Sequence, residues 1–508
     1  MDLECFSYML PLLTCCLFLL YSLYHVFAAG SSSSHQYAPR SYPVVGCLVD
    51  FYRNRRRLLG WYTGLLAASP SRTIVVDRLG ARRTVVTANP ANVEHMLRGN
   101  FGNYPKGKPF TDVLGDLIGG GIFNVDGERW YAQRKLMSHE FSARVLRGVV
   151  GAALEREARA GLVPALDAAA ASGAVIDMQE LLRQFAFNVI CRVSLGAKDP
   201  GCIELALPLS RLAVAFDAAA AISARRGSAP VAAAWKVKRA LGVGSERQLR
   251  DELKVIHDAI MEFIRGSREK RPAGRDRDDL LSRMAAAGYP DEAIRDMMVS
   301  FIMAGRDTTS SALTWFFWLM TRHRDVEREV LDEVNACMRD HQEGFGVDLE
   351  GSRKMRVLHA ALCETMRLYP PVAWDSKHAA EDDVLPDGTR VGRGDRVTYF
   401  PYGMGRMESI WGANACEFKP RRWLTLHPDG VSPFKYPVFQ AGPRTCLGKE
   451  MAFVQMKFVA SSVLHQFDLR PVAEDTPVFV PLLTAHMAGG LKVTVRRRPH
   501  QQNGTCAI

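Results

Sequence analysis

The fold is decided by a short stretch near the end of the chain, Phe439-Gln440-Ala441-Gly442-Pro443-Arg444-Thr445-Cys446-Leu447-Gly448. Glycines bracket Cys446, and glycine lets a backbone curl tightly and approach another group closely. A cysteine thiolate binds metal ions, and backbone N–H groups beside it tune the metal by donating to the sulfur. Free cysteine is also among the most buried residue types. The stretch by itself therefore leaves two interpretations, a metal ligand and a buried structural thiol.

The spacing F-x-x-G-x-R-x-C-x-G resembles the haem-binding loop of cytochrome P450 enzymes, and every fixed position is matched. The resemblance implies that Cys446 is the axial thiolate of a haem iron, a ligand that favours O–O cleavage. It also implies that the neighbouring residues bind the cofactor. Arg444 would pair with a haem propionate, and Phe439 would keep water off the sulfur. Gly442 and Gly448 would let the backbone approach the flat cofactor.

A second motif is Glu364-Thr365-Met366-Arg367, in an apolar stretch that Pro370 and Pro371 end. Residues three apart share a helical face, and such a pair is most often a solvated surface bridge. The motif resembles the E-x-x-R of the same family, which binds a later arginine. That arginine would be Arg422, although Arg421 stands where the family often has an acid. The resemblance implies that Glu364, Arg367 and Arg422 are structural and brace the haem loop.

A third motif pairs Trp130 with Arg134, four residues later. On a helix the two side chains project together. An indole N–H and a guanidinium are both hydrogen-bond donors suited to a carboxylate. By itself the pattern is more typical of a packed tryptophan beside a surface arginine. It resembles the family's W-x-x-x-R, which implies that Trp130 and Arg134 hold haem propionates.

The fourth motif, Ala304-Gly305-Arg306-Asp307-Thr308-Thr309, interrupts an apolar stretch. It falls inside a helix predicted from Asp291, as its N-cap, to about Arg322. The Thr308 hydroxyl can bond the Ala304 carbonyl and locally open the helix, and a simple kink is the alternative. The motif resembles the oxygen-activation groove of the family. The resemblance implies that Asp307 and Thr308 are catalytic and move protons.

The fold class that follows is mainly α with small β-sheets (α+β), arranged as the cytochrome P450 fold. The motifs keep the family's order, so one catalytic domain over residues 47–499 is expected although the length of 508 residues suggests roughly three domains. Short strands are predicted at 73–77 and 84–87. Residues 99–123, rich in Gly and Pro, are predicted to form a long loop, and 500–508 a disordered tail.

Residues 1–30 are predicted to be a membrane anchor, a single N-terminal transmembrane helix. Residues 6–29 carry no formal charge, and about 20 mostly apolar residues cross a bilayer. Acids precede this stretch and arginines follow it, so the body should face the cytosol. A cleaved signal peptide would have a positive start. Residues 31–46 then form a flexible, proline-rich hinge like that of microsomal P450 enzymes, which implies a single-pass protein of the endoplasmic reticulum membrane.

The net charge and the cysteine spacing indicate which kinds of partner and metal site to expect. The net charge is +11, and no nucleic-acid-binding motif accompanies it, so we expect no nucleic acid as a partner. An anionic membrane surface and an acidic redox protein explain the charge better. The 11 cysteines include no C-x-x-C pair, which indicates reduced thiols rather than a zinc site.

Two stretches, residues 371–379 and 405–412, resemble plant fatty-acyl hydroxylases. The resemblance implies a monooxygenase that acts at the terminal (omega) carbon of a fatty acid or of jasmonoyl-isoleucine, a lipid-like carboxylate substrate. Pocket walls are expected at 110–123, around Phe301, and at 372–374 and 484–487. Ala304 stands where some animal relatives have a haem-linked glutamate, so haem b should be held without a covalent bond to the porphyrin.

Electrons must come from another protein, because the chain has no flavin or nicotinamide motif. The resemblance implies NADPH–cytochrome P450 reductase as the partner, with NADPH used indirectly. Lys435, Lys449 and Lys457 are predicted to attract that acidic protein.

Two other functions stay open. One is a haem-thiolate hydroperoxide isomerase or dehydratase that needs neither O2 nor NADPH; such relatives lack the helix threonine pattern, so Asp307 and Thr308 argue against it. The other is a non-enzymatic haem-binding membrane protein.

Overall fold

The computed structural model of the chain describes residues 37–42, 46–77, 82–196, 211–228, 232–269, 280–339, 349–425 and 430–499. The predicted anchor 1–30, most of the hinge 31–46 and the tail 500–508 lie outside these residues. Within the described ranges, no helix is both long enough and apolar enough to cross a membrane.

Helices make up most of the described chain. They are α1 (Leu48–Asn54), α2 (Leu58–Ala68), α3 (Pro90–Glu94), α4 (Lys108–Ile118), α5 (Gly127–Ser138), α6 (Ala143–Val145), α7 (Gly151–Glu157), α8 (Val163–Ser172), α9 (Met178–Leu195), α10 (Arg211–Ser228), α11 (Ala232–Leu241), α12 (Ser245–Glu269), α13 (Leu280–Ala286), α14 (Asp291–Arg322), α15 (Arg324–Arg339), α16 (Leu349–Lys354), α17 (Arg356–Leu368), α18 (Pro401–Met404), α19 (Glu408–Trp411), α20 (Arg421–Leu424) and α21 (Lys449–Gln466).

The strands are short. They are β1 (Thr73–Val76), β2 (Thr84–Thr87), β3 (Ile176–Asp177), β4 (Asp375–His378), β5 (Asp383–Val384), β6 (Arg390–Val391), β7 (Arg396–Tyr399), β8 (Phe467–Pro471), β9 (Phe479–Val480), β10 (His486–Met487) and β11 (Lys492–Arg497). The largest sheet has the order β1-β2-β7-β4, and a three-stranded sheet has the order β3-β11-β8. In the larger sheet Val85 of β2 pairs with Val397 of β7 in parallel. The predicted combination of helices with small sheets is confirmed.

Helix α14 spans 32 residues, from Asp291 to Arg322, and the predicted helix is confirmed. Its N-cap is Pro290 rather than Asp291, so the predicted cap is wrong. Asp291 lies in the first turn instead, where a negative charge is favourable at the positive end of the helix dipole. Trp315, Phe316 and Phe317 are consecutive and all buried. Three consecutive residues of a helix point in different directions, so α14 is packed on every side at this level.

The predicted loop across residues 99–123 is wrong in its centre, because α4 occupies Lys108–Ile118. The Gly and Pro residues that suggested a loop delimit this helix. Gly107 has φ 74° and Gly119 has φ 46°, so they stand just before and just after it. Pro109 lies in the first turn, which tolerates proline because N–H groups there have no helical acceptor.

Two apolar cores meet at the Cys446 loop. The larger core surrounds α14 and includes Ile190 of α9, Leu362 of α17 and Val459 of α21. The smaller core lies on the four-stranded sheet. Phe439 packs against the larger core, whereas Ala441 belongs to the smaller one. The loop is therefore held from both sides.

Candidate functional site

The backbone of the Cys446 loop is fixed by short hydrogen bonds. The Cys446 N–H donates to the Phe439 carbonyl at 2.8 Å, and the Thr445 hydroxyl donates to the Gly442 carbonyl at 2.7 Å. Gly442 has φ 64°, and a Cβ there would lie 1.9 Å from the Leu97 carbonyl oxygen. Gly442 is therefore required both by its conformation and by the close approach of a second backbone segment.

Cys446 has a solvent-accessible surface although protein atoms surround its sulfur on most sides. Burial among those atoms raises the pKa of the Cys446 thiol. The Gly448 backbone N–H, which bonds the sulfur, and the charges of Arg134 and Lys449 act in the opposite direction. The backbone N–H donation expected for a metal-binding thiolate is thus present.

Two guanidinium groups, Arg134 of α5 and Arg444 of the loop itself, lie near Trp130. Arg134 donates to the Thr445 carbonyl at 2.7 Å, and Arg444 donates to the Val125 carbonyl at 3.0 Å. The Trp130 ring centroid is 5.7 Å from Arg134 Cζ and 4.6 Å from Arg444 Cζ. The structure therefore brings together the predicted residues Trp130, Arg134, Arg444 and Cys446.

These residues fit a haem. Arg444 Nε is buried without a hydrogen-bond acceptor, and the Arg134 guanidinium lies near the accessible Cys446 thiol. A porphyrin with two propionates supplies acceptors for such donors, and a haem iron accepts a thiolate. Phe439 packs against Phe453 with the rings tilted by 41° and their centroids 5.3 Å apart, and it forms an apolar wall behind the loop.

The contacts predicted for the second motif are present and buried. Glu364 accepts from Arg367 Nε and Nη2, both at 2.8 Å, and from Arg422 Nε at 2.9 Å. The Trp423 indole also donates to this carboxylate at 2.8 Å, a contact that the sequence analysis missed. Arg421 points away and pairs with the exposed Glu329. The departure from the family pattern at Arg421 therefore leaves the buried cluster intact.

The predicted hydrogen bond of the fourth motif is present, since Thr308 Oγ1 donates to the Ala304 carbonyl at 2.6 Å. Helix α14 continues through it without a break, so the predicted local opening is not seen. Burial raises the pKa of Asp307, against the opposing charges of Arg306 and Arg183. A Cβ on Gly305 would lie 2.5 Å from Ile190 Cδ1, which shows how closely α14 approaches α9.

Residues 38–485 match the family model described as Cytochrome P450. The chain belongs to the cytochrome P450 family. It is 56% identical over 471 residues to cytochrome P450 94B1 of Arabidopsis thaliana, covering 91% of each chain. It is 54% identical over 494 residues to cytochrome P450 94B3 of the same plant, covering 94% of this chain and 96% of the relative.

A solved cytochrome P450DA haem domain has a TM-score of 0.76 with 20% identity, covers 91% of this chain and is itself covered to 97%. This likeness shows the P450 fold. The protein is a P450 monooxygenase, an oxidoreductase that uses haem b with thiolate ligation and electrons that a reductase delivers from NADPH.

A buried ionic cluster beside the P450 haem loop escaped the sequence analysis. Asp375 accepts from Lys106 Nζ at 2.8 Å, from Lys377 Nζ at 2.6 Å and from Gln440 Nε2 at 2.8 Å. Burial alone would raise the pKa of Asp375, but the two lysines hold it well below its usual range. The sequence signal was the alternation Asp375-Ser376-Lys377 in a strand, which places both charged side chains on one face.

One residue predicted to attract the reductase of this P450 does not fit that role. Lys457 is buried, and its Nζ donates to the Ser352 carbonyl at 2.6 Å. A buried ammonium cannot form part of a docking surface, so the prediction for Lys457 is wrong. Lys449 is exposed, and Lys435 is half-buried with its Nζ 5.0 Å from the Trp411 ring centroid.

Two of the regions predicted to line the P450 substrate pocket, around Phe301 and at 484–487, lie on α14 or against it. Phe301 stacks on Phe141 with ring centroids 5.6 Å apart. Ser311 donates to the Ala485 carbonyl at 2.6 Å, and the Ala485 N–H donates to the Pro371 carbonyl at 2.7 Å. Segments near 371 and 485 are therefore fixed to the same helix that carries Asp307 and Thr308.

Proposed function

We propose that this P450 hydroxylates the terminal carbon of a fatty acid or of a fatty-acid-derived hormone conjugate such as jasmonoyl-isoleucine. The reaction class is carried by one observation, the accessible Cys446 thiol in a loop where the Arg134 and Arg444 guanidiniums lie near Trp130. The substrate class is supported by the likeness to cytochromes P450 94B1 and 94B3 and by the stretches 371–379 and 405–412.

In this proposal Cys446 is the iron ligand, and its loop binds the porphyrin. Haem with an axial thiolate supplies the chemistry of O–O cleavage. Arg134, Arg444 and Trp130 supply donors for the propionates. The buried Arg444 Nε, which lacks an acceptor within the protein, is suited to such a carboxylate.

The remaining loop residues shape the cofactor site. Phe439 keeps water from the sulfur, and Gly442 and Gly448 keep the backbone close to the porphyrin. A Cβ on Gly448 would lie 3.3 Å from Phe141 Cε1, so a larger residue would press on that ring. Glu364, Arg367 and Arg422 brace the loop from behind, and Tyr436 ties it to α17 by donating to the Cys363 carbonyl at 2.9 Å.

Asp307 and Thr308 are proposed to move the protons that oxygen activation consumes. Burial favours the protonated form of Asp307, and such a group can both hold and release a proton. The Thr308 hydroxyl is oriented by its bond to the Ala304 carbonyl, which leaves its oxygen lone pairs free to accept.

Selectivity for a chain end requires positioning, because a terminal methyl has stronger C–H bonds than the methylene beside it. A site that presents only the chain end, in a near-attack geometry, overcomes that difference. The walls are proposed to come from residues 110–123, from the region of Phe301 and from residues 372–374 and 484–487. Their fixation to α14 supports this role.

The membrane location of the enzyme and its redox partner are proposed from the sequence. Residues 1–30 would anchor it in the endoplasmic reticulum membrane with the catalytic domain in the cytosol. NADPH–cytochrome P450 reductase would dock near Lys435 and Lys449 and deliver the electrons.

The test is a spectral titration of the purified holoenzyme, which reads displacement of water from the iron, with lauric acid, oleic acid and jasmonoyl-isoleucine. We expect a substrate-induced shift with at least one of them, and an omega-hydroxylated product that requires NADPH and reductase. Conversion of a fatty-acid hydroperoxide without NADPH would support the isomerase alternative instead. Binding without any turnover would support a haem-binding carrier.

A further inference from the structure

Arg306, in the oxygen-activation motif, is a buried cation in the middle of α14. Its residue is 2% exposed, and its Cζ lies 5.5 Å from the Phe187 ring centroid. A buried charge is costly unless it is paired. Its partner is Asp217 of α10, whose Oδ1 lies 2.7 Å from Arg306 Nη1.

Because Arg306 pairs with Asp217, it makes no short hydrogen bond to its neighbour Asp307. Arg306 Nη1 is 3.6 Å from Asp307 Oδ1, beyond a normal hydrogen bond. Asp307 Oδ1 and Arg306 Nε are both buried without a hydrogen-bond partner. Two carboxylates, Asp217 and Asp307, lie near the Arg306 guanidinium. In this structure the guanidinium binds Asp217 and not its neighbour in sequence.

Asp217 is held in place to receive this cation. Arg183 of α9 also bonds the same carboxylate oxygen of Asp217. At the C-terminal end of α10, Arg226 pairs with Glu246 of α12 and donates to the Val113 carbonyl of α4 at 3.2 Å. Helix α10 is thus fixed to α9, α12 and α4, and the position of Asp217 follows from that packing.

We propose that Asp217 and Arg306 form a positioning pair, in which Asp217 holds the Arg306 guanidinium away from Asp307 and so leaves the Asp307 carboxyl free to accept and deliver protons. The inference rests on the proposed role of Asp307. It adds two positioning residues, one of them on a different helix from the proposed catalytic groups.

The charges around Asp307 predict the direction in which its pKa moves when Asp217 is replaced. The charged and titratable groups around Asp307 are Arg306 on its own helix, Arg183 and Glu180 on α9, Asp217 on α10, and His486 on β10, which faces Arg183 and Asp217. Arg306 and Arg183 favour the ionised form of Asp307, and Asp217 disfavours it. Loss of the Asp217 charge removes a repulsion and releases Arg306 toward Asp307. Both effects lower the pKa of Asp307.

The test is the substitution Asp217→Asn in the full-length holoenzyme with reductase. Coupling, the fraction of NADPH electrons found in hydroxylated product, should fall by a factor between about 2 and about 30, the range for substitutions along a coupled network. Hydrogen peroxide should rise correspondingly. The pH above which coupling declines should move to a lower value. With a lower pKa, Asp307 loses its proton at a lower pH. Asp217→Glu, which keeps the charge, should restore most of the coupling.

Two further variants separate positioning from general damage. Asp468→Asn removes the charge of a carboxylate that pairs with Arg324 at 2.9 Å, beyond the C-terminal end of α14, and should leave coupling and its pH profile unchanged. In an Asp307→Asn background, adding Asp217→Asn should cause no additional loss, since Asp217 acts through Asp307. The reduced carbon-monoxide spectrum and the haem content should stay at wild-type values in each variant.

Unchanged coupling in Asp217→Asn would overturn the inference, as would an unshifted pH profile of that variant. The inference would also be overturned if Asp217→Asn lowered coupling as much in the Asp307→Asn background as it does alone. If Asp307→Asn alone retains full coupling, the proposed role of Asp307 is wrong, and the inference falls with it. These outcomes are distinguishable, because the single Asp307 variant tests the proposed function by itself.

Discussion

The Glu364 carboxylate and the Arg367 guanidinium lie side by side in the core, joined by two hydrogen bonds of 2.8 Å. Both side chains are fully buried. Arg367 also reaches the backbone carbonyls of Gly405, Ala415 and Glu417. One arginine thus ties α17 to the segment that leads into the haem loop, and Arg422 closes the cluster.

Adjacent arginines allow a matched test of this cluster. Arg422→Ala leaves the buried Glu364 without one of its donors and should destabilise the protein by about 2 kcal/mol, the cost of a buried group left unsatisfied. Arg421→Ala removes an exposed arginine and should leave stability unchanged. Chemical denaturation of the holoprotein, together with haem retention, measures both. Equal stability of the two variants would contradict the bracing role of Arg422.

Gly442→Ala should abolish haem incorporation, because the new Cβ would overlap the Leu97 carbonyl oxygen and the φ of 64° is unfavourable for alanine. Gly388→Ala is the control, since Gly388 has φ 84° but nothing within 4 Å of a new Cβ. That control should cost about 1–3 kcal/mol from backbone strain alone and retain haem. Haem content per polypeptide reports the difference. A Gly442→Ala protein with normal haem content would show that the backbone at Leu97 can move away from the Cys446 loop without loss of haem.

Gly305→Ala should push α14 from α9, because its Cβ would meet Ile190 Cδ1 at 2.5 Å. Overpacking of this kind costs about 1–3 kcal/mol. Ile190→Ala removes both of the side-chain atoms nearest to the new methyl group, so the double variant should recover activity that Gly305→Ala loses. Steady-state hydroxylation with a responsive substrate compares the three variants. Failure of the double variant to recover would mean that Gly305 is needed for a reason other than contact with Ile190.

Cys446→Ser should remove the thiolate signature from the reduced carbon-monoxide spectrum and abolish hydroxylation, since a serine hydroxyl does not supply the same electron density to iron. Cys416→Ser changes the other exposed free cysteine among the described residues and should leave spectrum and turnover unchanged. A normal spectrum in Cys446→Ser would rule out Cys446 as the iron ligand.

The two lysines of α21 should respond differently to charge reversal. Lys449→Glu changes an exposed residue and should raise the KM for reductase at low salt while stability is unchanged. Lys457→Glu places a carboxylate where a buried ammonium donates to the Ser352 carbonyl, so it should lower stability. Reductase titrations at two ionic strengths and thermal unfolding distinguish them. A reductase defect in a stably folded Lys457→Glu variant would restore the original prediction for Lys457.

The sequence predicted elements well where one local pattern dominates. Apolar residues on both sides of the fourth motif predict helix α14, although its N-cap is Pro290 rather than Asp291, and β-branched runs are typical of strands such as β1 and β2. The sequence does not predict helix α4, because Gly107, Pro109 and Gly119 are typical of loops, whereas the structure places them at its two ends. Residue type alone does not say which side of a helix boundary a glycine occupies.

The sequence by itself determined the family, and through the family the reaction class, because the spacing of Cys446, Arg444 and the flanking glycines that carries the resemblance is a local property of one loop. The sequence also identified Arg422 as the second partner of Glu364, although Arg421 stands where the family often has an acid. Only the tertiary structure decided which charges are buried together. Lys457 faces inward, Asp375 holds two lysines, and Arg306 binds Asp217 rather than Asp307. Such pairings join residues far apart in the chain, and their energies depend on burial that arises only when the helices pack.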